Sequence, residues 1–110
     1  MDKFYHLSQT LFDNNTILTP RSVERTSKAT QWANGMKGFF VTDESGIEWW
    51  LDIFANIYNM RNMYIYEVQV LGNAENCDVN EELVQWFTED SIMIVRRCVE
   101  IEAEWSWVRP

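Results

Sequence analysis

His6 is the single histidine of the chain and the side chain with the widest range of chemistry in it. It lies in a short apolar segment, next to Tyr5 and close to Ser8, whose side chains carry hydroxyl groups. A neutral imidazole can hold a ligand hydroxyl or carbonyl by hydrogen bonding without acting as a base. A lone histidine on a strand is more often a hydrogen-bonded core residue, so the segment predicts either a core histidine or a ligand-binding one.

A basic stretch follows this segment in a chain whose formal net charge is −8. The stretch contains Arg21, Arg25, Lys28 and Lys37 and has little apolar periodicity, which indicates a long loop. Guanidinium and ammonium groups bind phosphate, so these cations predict a phosphate clamp unless they pair with acids elsewhere on the surface. Trp32 in the same loop could stack on a planar ring.

The candidates for acid–base chemistry come late in the chain. Asp78 and Glu81, with Glu82 beside them, lie at the start of a predicted short helix. Capping of that helix and compensation of its dipole are enough to explain these acids. A catalytic role would require that the fold bring one of the carboxylates opposite His6. The sequence has no catalytic-triad, paired-carboxylate or phosphate-binding glycine motif. With one histidine and two widely spaced cysteines, it predicts no metal site.

Composition narrows the class of protein. A chain of 110 residues with 46% hydrophobic residues is long enough for one domain with its own core. A net charge of −8 disfavours direct binding to nucleic acid or to an anionic membrane. No apolar run approaches the roughly 20 residues that span a bilayer, and no signal-peptide pattern is present. We therefore expect a soluble, cytoplasmic protein.

The periodicity of apolar residues predicts strands around one main helix. Alternation of apolar and polar residues indicates strands at residues 3–8 and 63–71. A short apolar run indicates a buried strand at 38–42. Asp43 can cap a helix that starts at once, in which the apolar residues from Ile47 to Tyr58 form one stripe.

The C-terminal third predicts a short helix at residues 79–87 and a long strand at 92–108. On that strand Glu100, Glu102 and Glu104 would form an acidic ladder on one face. The predicted fold is therefore α+β: a single compact domain that spans the whole chain, with a mainly antiparallel sheet, one main helix and one short helix.

The order of these segments resembles a known fold. Phe4-Tyr5-His6 followed by Ile17-Leu18-Thr19-Pro20 resembles the opening of rifampin ADP-ribosyltransferases and related small proteins of the ADP-ribosyltransferase fold. Phe39-Phe40-Val41-Thr42, Tyr64-Ile65-Tyr66-Glu67-Val68 and the segment from Ile94 to Ile101 resemble later strands of that fold, in the same order. The resemblance implies an ADP-ribosyltransferase-like fold that binds NAD or a related ADP-ribose-type nucleotide.

The resemblance also implies roles for particular residues. His6, with Tyr5 and Ser8 around it, corresponds to the histidine strand that holds the ADP-ribose part of NAD. Phe40 stands where the family has a tyrosine that stacks on nicotinamide, so the stacking face remains without the hydroxyl. Asp78 is the nearest candidate for the late acid that stabilises the transition state.

Two further assignments complete the predicted site. Glu81 is a second candidate for the late acid, and Arg21 and Arg25 are candidates to hold the pyrophosphate. An active enzyme of this kind would cleave the nicotinamide glycosidic bond and pass ADP-ribose to a protein or a small molecule.

A second hypothesis is of another class. A small acidic protein of mobile-element origin could inhibit a host defence factor by protein contact or by mimicking nucleic acid. The contact would use the acidic face of the C-terminal strand, Glu100, Glu102 and Glu104, together with Trp105 and Trp107.

Overall fold

A computed structural model describes residues 3–23, 31–61, 63–77 and 86–105 of the chain. The Cα radius of gyration is 13.0 Å, as expected for a single compact domain of about 100 residues. Short 3-10 turns occur at Gln31–Ala33 and Glu44–Gly46. The strands are β1 (Phe4–Ser8), β2 (Ile17–Leu18), β3 (Arg21–Ser22), β4 (Lys37–Val41), β5 (Tyr64–Val70), β6 (Glu75–Asn76), β7 (Trp86–Thr88) and β8 (Ile92–Arg97), and the helices are α1 (Ile47–Asn56) and α2 (Val99–Glu104).

Among the described residues, the strands form two four-stranded antiparallel sheets. One has the strand order β1-β5-β8-β2 and the other β3-β4-β7-β6. The sheets meet at one bridge, where the amide of Tyr5 donates to the carbonyl of Thr42 at 2.7 Å and the amide of Thr42 donates back at 2.9 Å. The predicted α+β class with antiparallel strands is confirmed, with two sheets rather than one.

Strand β1 has the two faces that alternation predicts. Tyr5 and Leu7 are buried, whereas Phe4, His6 and Ser8 are only partly buried. The strand pairs antiparallel with β5 along its whole length. The half-buried face therefore carries His6 out of the core but not into open solvent.

Helix α1 follows a capped 3-10 turn and buries the first part of the predicted apolar stripe, whereas Ile57, which follows the helix, is exposed. The Asp43 carboxylate accepts hydrogen bonds from the amide of Gly46 at 3.1 Å and the hydroxyl of Ser45 at 2.6 Å, which closes a 3-10 turn ahead of the helix. The buried residues of the helix are Ile47, Trp50, Leu51 and Ala55.

Strand β5 joins two hydrophobic clusters because successive side chains point to opposite faces. Ile65 packs in the cluster that includes α1, and Tyr66 packs in the cluster between the sheets. The Tyr66 hydroxyl donates to the carbonyl of Thr10 at 2.8 Å and accepts from the amide of Phe12 at 3.0 Å. One buried side chain thus fixes the segment that follows β1.

The prediction of one long C-terminal strand is wrong. Strand β8 ends at Arg97 and helix α2 follows. The buried Glu102 carboxylate accepts from the amide of Ile65 at 3.1 Å and from Arg97 Nη2 at 2.7 Å. Ile65 lies on β5, so the Glu102 carboxylate can reach it only if the chain turns back after Arg97. These tertiary contacts override the alternating pattern, which by itself favours a strand.

The predicted helix at residues 79–87 is also corrected at its end. Residues 78–85 lie outside the described residues, but Trp86 and Phe87 belong to strand β7. Phe87 pairs with Phe40 on β4, so the partner strand decides this conformation. The predicted long loop contains β3 and a 3-10 turn, and residues 24–30 lie outside the described residues. No helix within the described parts of the chain is long and apolar enough to span a bilayer.

Candidate functional site

A cavity of about 180 Å³ lies between strands β1 and β4 and helix α1. His6 enters it from β1, Phe39 and Phe40 from β4, and Trp50 and Phe54 from α1. The wall is therefore mostly aromatic, with one titratable imidazole. Such a wall suits a planar ring, because aromatic faces pack on rings and exclude water from the polar groups beside them.

The His6 ring has a defined tautomer. Its Nδ1 lies 2.9 Å from the carbonyl oxygen of Phe40. A carbonyl oxygen only accepts, so Nδ1 carries the proton, and Nε2 of the neutral ring is left as an acceptor. Burial lowers the pKa of His6 below its ordinary value, although the hydrogen bond to Phe40 opposes that shift. The ring is therefore neutral at pH 7, and Nε2 can accept a hydrogen bond from a hydroxyl or an amide.

Phe40 lies at the centre of an aromatic cluster. Its ring centroid is 5.4 Å from that of Trp50, 5.1 Å from that of Phe87 and 5.7 Å from that of Trp32. These tilted and edge-to-face contacts hold the ring in place. The structure thus brings the two central residues of the predicted site, His6 and Phe40, together through a hydrogen bond and a shared cavity wall.

The hydroxyl groups near His6 have different environments. Tyr5 lines the cavity, and burial raises the pKa of its phenol above the ordinary value. Ser8 is not among the residues that line the cavity, and its hydroxyl accepts from the amide of Thr10 at 3.1 Å. The cavity wall therefore includes Tyr5 but not Ser8.

Trp50 adds a buried donor next to the same cavity. Its indole Nε1 is enclosed, with no hydrogen-bond acceptor among the residues that the structure describes. Trp50 also lines the cavity with its ring. The ring thus provides aromatic surface, while its nitrogen lies behind the wall.

Arg21 lies beside the cavity on strand β3. It pairs with Gly38 on β4, and Gly38 lines the cavity. The Arg21 side chain is exposed. A Cβ at Gly38 would collide with the carbonyl of Thr88 and the Phe87 ring, so this position requires glycine. Strand pairing therefore places Arg21 next to a lining residue of the cavity, although Arg21 itself is not among the residues that line it.

Three predicted site residues lie outside the described residues: Arg25, Asp78 and Glu81. Within the described chain, no residue that lines the His6 cavity carries a carboxylate. The described residues also contain no group of three or more histidine, cysteine or acidic side chains placed to hold a metal ion. The part of the site that the structure describes is therefore a mostly aromatic wall with one imidazole.

A second groove, of about 260 Å³, lies on the other side of the aromatic cluster. Trp32, Met36 and Phe87 supply its apolar surface. Sequence reasoning missed it, because its residues come from three separate parts of the chain. The nearest signal was Trp32 within a polar loop. The three acids that line this groove are Glu75, Glu89 and Asp90.

The C-terminal acids do not form the predicted ladder, since they lie on helix α2. Glu100 is exposed and accepts from Arg96 Nη2 at 2.6 Å, whereas Glu102 is buried against Arg97. Glu104 is exposed, and Trp107 lies outside the described residues. Burial of Glu102 removes it from any contact surface for a partner protein.

No protein-family model and no curated protein matches this chain.

Proposed function

We propose that this protein is an ADP-ribosyltransferase-like domain that binds NAD or a related ADP-ribose-type nucleotide in the His6 cavity. The observation that supports this most directly is the state of the His6 ring. The Phe40 carbonyl holds Nδ1 at 2.9 Å, so Nε2 is an oriented acceptor at an aromatic wall. A ribose hydroxyl is a donor that suits this acceptor, and a nicotinamide or adenine ring suits the wall.

The size of the cavity limits which part of the nucleotide it encloses. About 180 Å³ is below the roughly 300–1,000 Å³ of pockets that bury most of a drug-sized ligand. The cavity would therefore enclose one ring, with the remainder of the dinucleotide along the surface. Phe40 is fixed by its neighbours, so it offers a rigid contact at little cost in conformational entropy.

The pyrophosphate would then lie toward Arg21. This residue is exposed beside the cavity and takes part in no ion pair among the described residues. A guanidinium can bind two phosphate oxygens at once, which gives both orientation and charge neutralisation. Arg25 remains a second candidate for this role.

Transfer of ADP-ribose is a separate step of the proposal. The bond between nicotinamide and the ribose carbon would break, nicotinamide would leave with the bonding electrons, and an acceptor nucleophile would form the new bond. Only groups that act on the charge developing at the ribose accelerate this step. Asp78 and Glu81 remain the candidates for that role, and His6 would orient the ribose.

Calorimetric titration with NAD tests the binding site. His6→Asn is a well-matched variant, because the asparagine amide nitrogen takes the place of Nδ1 and can still donate to Phe40, whereas the Nε2 acceptor is lost. We expect the wild-type protein to bind NAD. His6→Asn should bind NAD at least about tenfold more weakly, because one hydrogen bond to the ligand is lost. Absence of binding by wild type, or equal affinity for the variant, would reject the site.

A pair of charge variants tests the phosphate contact. Arg21→Met removes the cation beside the cavity, and Lys37→Met removes an exposed cation from the neighbouring strand. We expect Arg21→Met to weaken NAD binding and to reduce its salt dependence, with little effect of Lys37→Met. Equal effects would show that the contact is general attraction rather than a clamp. Release of nicotinamide from NAD then measures whether the bound nucleotide reacts.

A further inference from the structure

We propose that the second groove, lined by Trp32, Met36, Phe87, Glu75, Glu89 and Asp90, binds an arginine side chain of a partner protein. This site is distinct from the His6 cavity, and no bound nucleotide is required for it. The groove has a volume of about 260 Å³ and combines apolar and acidic surface.

The aromatic side of the groove is exposed and rigidly supported. Trp32 is 43% exposed, an unusual state for the largest apolar side chain. Its ring is nevertheless held by edge-to-face contacts with Phe87 at 5.4 Å and with Phe40 at 5.7 Å. An ordered, exposed indole is a surface on which a cation can stack without a large entropic cost.

The acidic side of the groove carries charge that the described residues leave uncompensated. The ion pairs in the described chain join Lys3, Arg96 and Arg97 to acids of β5 and α2. None of them includes Glu75, Glu89 or Asp90, and no cation among the described residues lines the groove. A partner cation would therefore meet three carboxylates, all at exposed positions: one on β6 and two directly after β7.

The combination favours arginine over lysine. A guanidinium has weakly hydrated flat faces and five N–H donors around its edge. Its face can therefore pack on Trp32 while its edge donates to the carboxylates of Glu75 and Glu89. A lysine ammonium is strongly hydrated and lacks such a face. The charge of the whole chain, −8, would also draw a basic partner toward this surface.

The groove is held in shape by its own turn. Asp90 accepts from the amide of Asn73 at 2.9 Å, and the Thr88 hydroxyl donates to the carbonyl of Asn73 at 2.8 Å. All three carboxylates are exposed, but only Asp90 makes a hydrogen bond that supports the turn, so Glu75 and Glu89 can be changed without disturbing it. This difference determines which variants test the site.

Nuclear magnetic resonance titration with short peptides tests the proposal. The probe is acetyl-Gly-Arg-Gly-amide, and its matched controls carry citrulline or lysine in place of arginine. We expect saturable shifts of the Trp32 indole signal with the arginine peptide, and at least about fivefold weaker binding of both controls. Absence of shifts, or equal binding of citrulline or lysine, would overturn the assignment.

Charge variants locate the contact. We expect Glu75→Gln with Glu89→Gln to weaken binding about tenfold, since two exposed ion pairs are lost. The control Glu48→Gln with Glu104→Gln removes the same charge at exposed positions outside the groove and should leave binding within about twofold. Equal effects of the two double variants would overturn the site.

Sedimentation of the chain alone tests whether a second copy of this chain, rather than a partner protein, occupies the groove. Self-association that Glu75→Gln with Glu89→Gln abolishes would identify a second copy of this chain in the groove and overturn the assignment to a partner protein. A monomer at all concentrations, together with binding of the arginine peptide, would support it. His6→Asn should leave peptide binding unchanged, so failure of the nucleotide proposal and failure of this one are separate results.

Discussion

Protonation of His6 is predicted to destabilise the folded protein as the pH falls from 7.5 to 5.5. Burial of the ring lowers its pKa below the ordinary value, and the hydrogen bond from Nδ1 to Phe40 only partly opposes this shift. His6 is the single histidine of the chain. Most carboxylates titrate near pH 4, so this window isolates one side chain.

The sign and size of the effect follow from proton linkage. The unfolded chain binds a proton at His6 near pH 6.5, whereas the folded chain binds it only at lower pH. Between these two values the unfolded state holds more protons, so the free energy of unfolding falls as the pH falls. The steepest possible slope for one group is about 1.4 kcal/mol per pH unit. Above about pH 7.5 neither state binds this proton, so the His6 contribution is constant.

Urea unfolding at half-unit pH steps measures this slope. The protein contains six tryptophans, so its fluorescence reports the transition. His6→Asn is the control, because asparagine can keep the hydrogen bond to Phe40 and does not titrate. We expect the stability of wild type to fall below pH 6.5 relative to that of the variant.

Parallel pH profiles of wild type and His6→Asn would refute the reasoning. So would a wild-type protein that gains stability relative to the variant as the pH falls, since that requires a raised pKa. Either result would mean that burial in the cavity does not lower the pKa of His6. A raised pKa would also remove the argument that Nε2 is a ligand acceptor at pH 7.

Three further changes test the packing around the site by urea unfolding. Glu102→Gln should lower the free energy of unfolding by about 2 kcal/mol. This is less than the roughly 3–5 kcal/mol of a fully buried pair, because the Arg97 partner is 36% exposed. The control Glu104→Gln, at an exposed position, should change it by less than about 0.5 kcal/mol, and equal losses would contradict the buried pair. Gly38→Ala should lower the free energy of unfolding by more than about 2 kcal/mol or prevent folding, because the alanine methyl group would collide with the carbonyl of Thr88. An unchanged stability would disprove that close packing. Tyr66→Phe should lower the free energy of unfolding by about 1–3 kcal/mol, because the half-buried amide of Phe12 loses its acceptor. Amide exchange near residue 12 should also speed up, and unchanged exchange would contradict this contact.

Elements with strong local signals were predictable from the sequence. The alternation in β1 identifies its buried face, and the apolar stripe of α1 identifies the residues that the first turns of the helix bury. The strand at β5 was also predictable, although both of its faces are packed. Asp43 marked the start of the helical region, because its carboxylate can bond to amides three residues ahead. These features depend on neighbours along the chain.

The two wrong predictions occur where distant contacts decide the conformation. Phe87 is extended because it pairs with Phe40, which lies on another part of the chain. Val99 to Glu104 is helical because Glu102 is bound to the backbone of Ile65. Neither partner can be found from the periodicity of the segment itself.

The candidate site was likewise predictable only in part from the sequence. The sequence alone identified His6 as the residue to examine, through its type and the resemblance, and the resemblance assigned Phe40 to the stacking position of the same site. Only the tertiary structure decided that Nδ1 of His6 donates to the Phe40 carbonyl, 34 residues away, so that Nε2 remains free to accept. It also assembled the acidic aromatic groove from three segments.

By itself, then, the sequence determined the composition, the strongly negative charge and the local helix and strand propensities. The tertiary structure decided which acids are buried or exposed, which rings touch, and where cavities remain. The physical reason is that hydrogen-bond tautomers, ion pairs and cavity walls depend on atoms brought together from distant positions, whereas periodicity reports only the residues next to each other along one element.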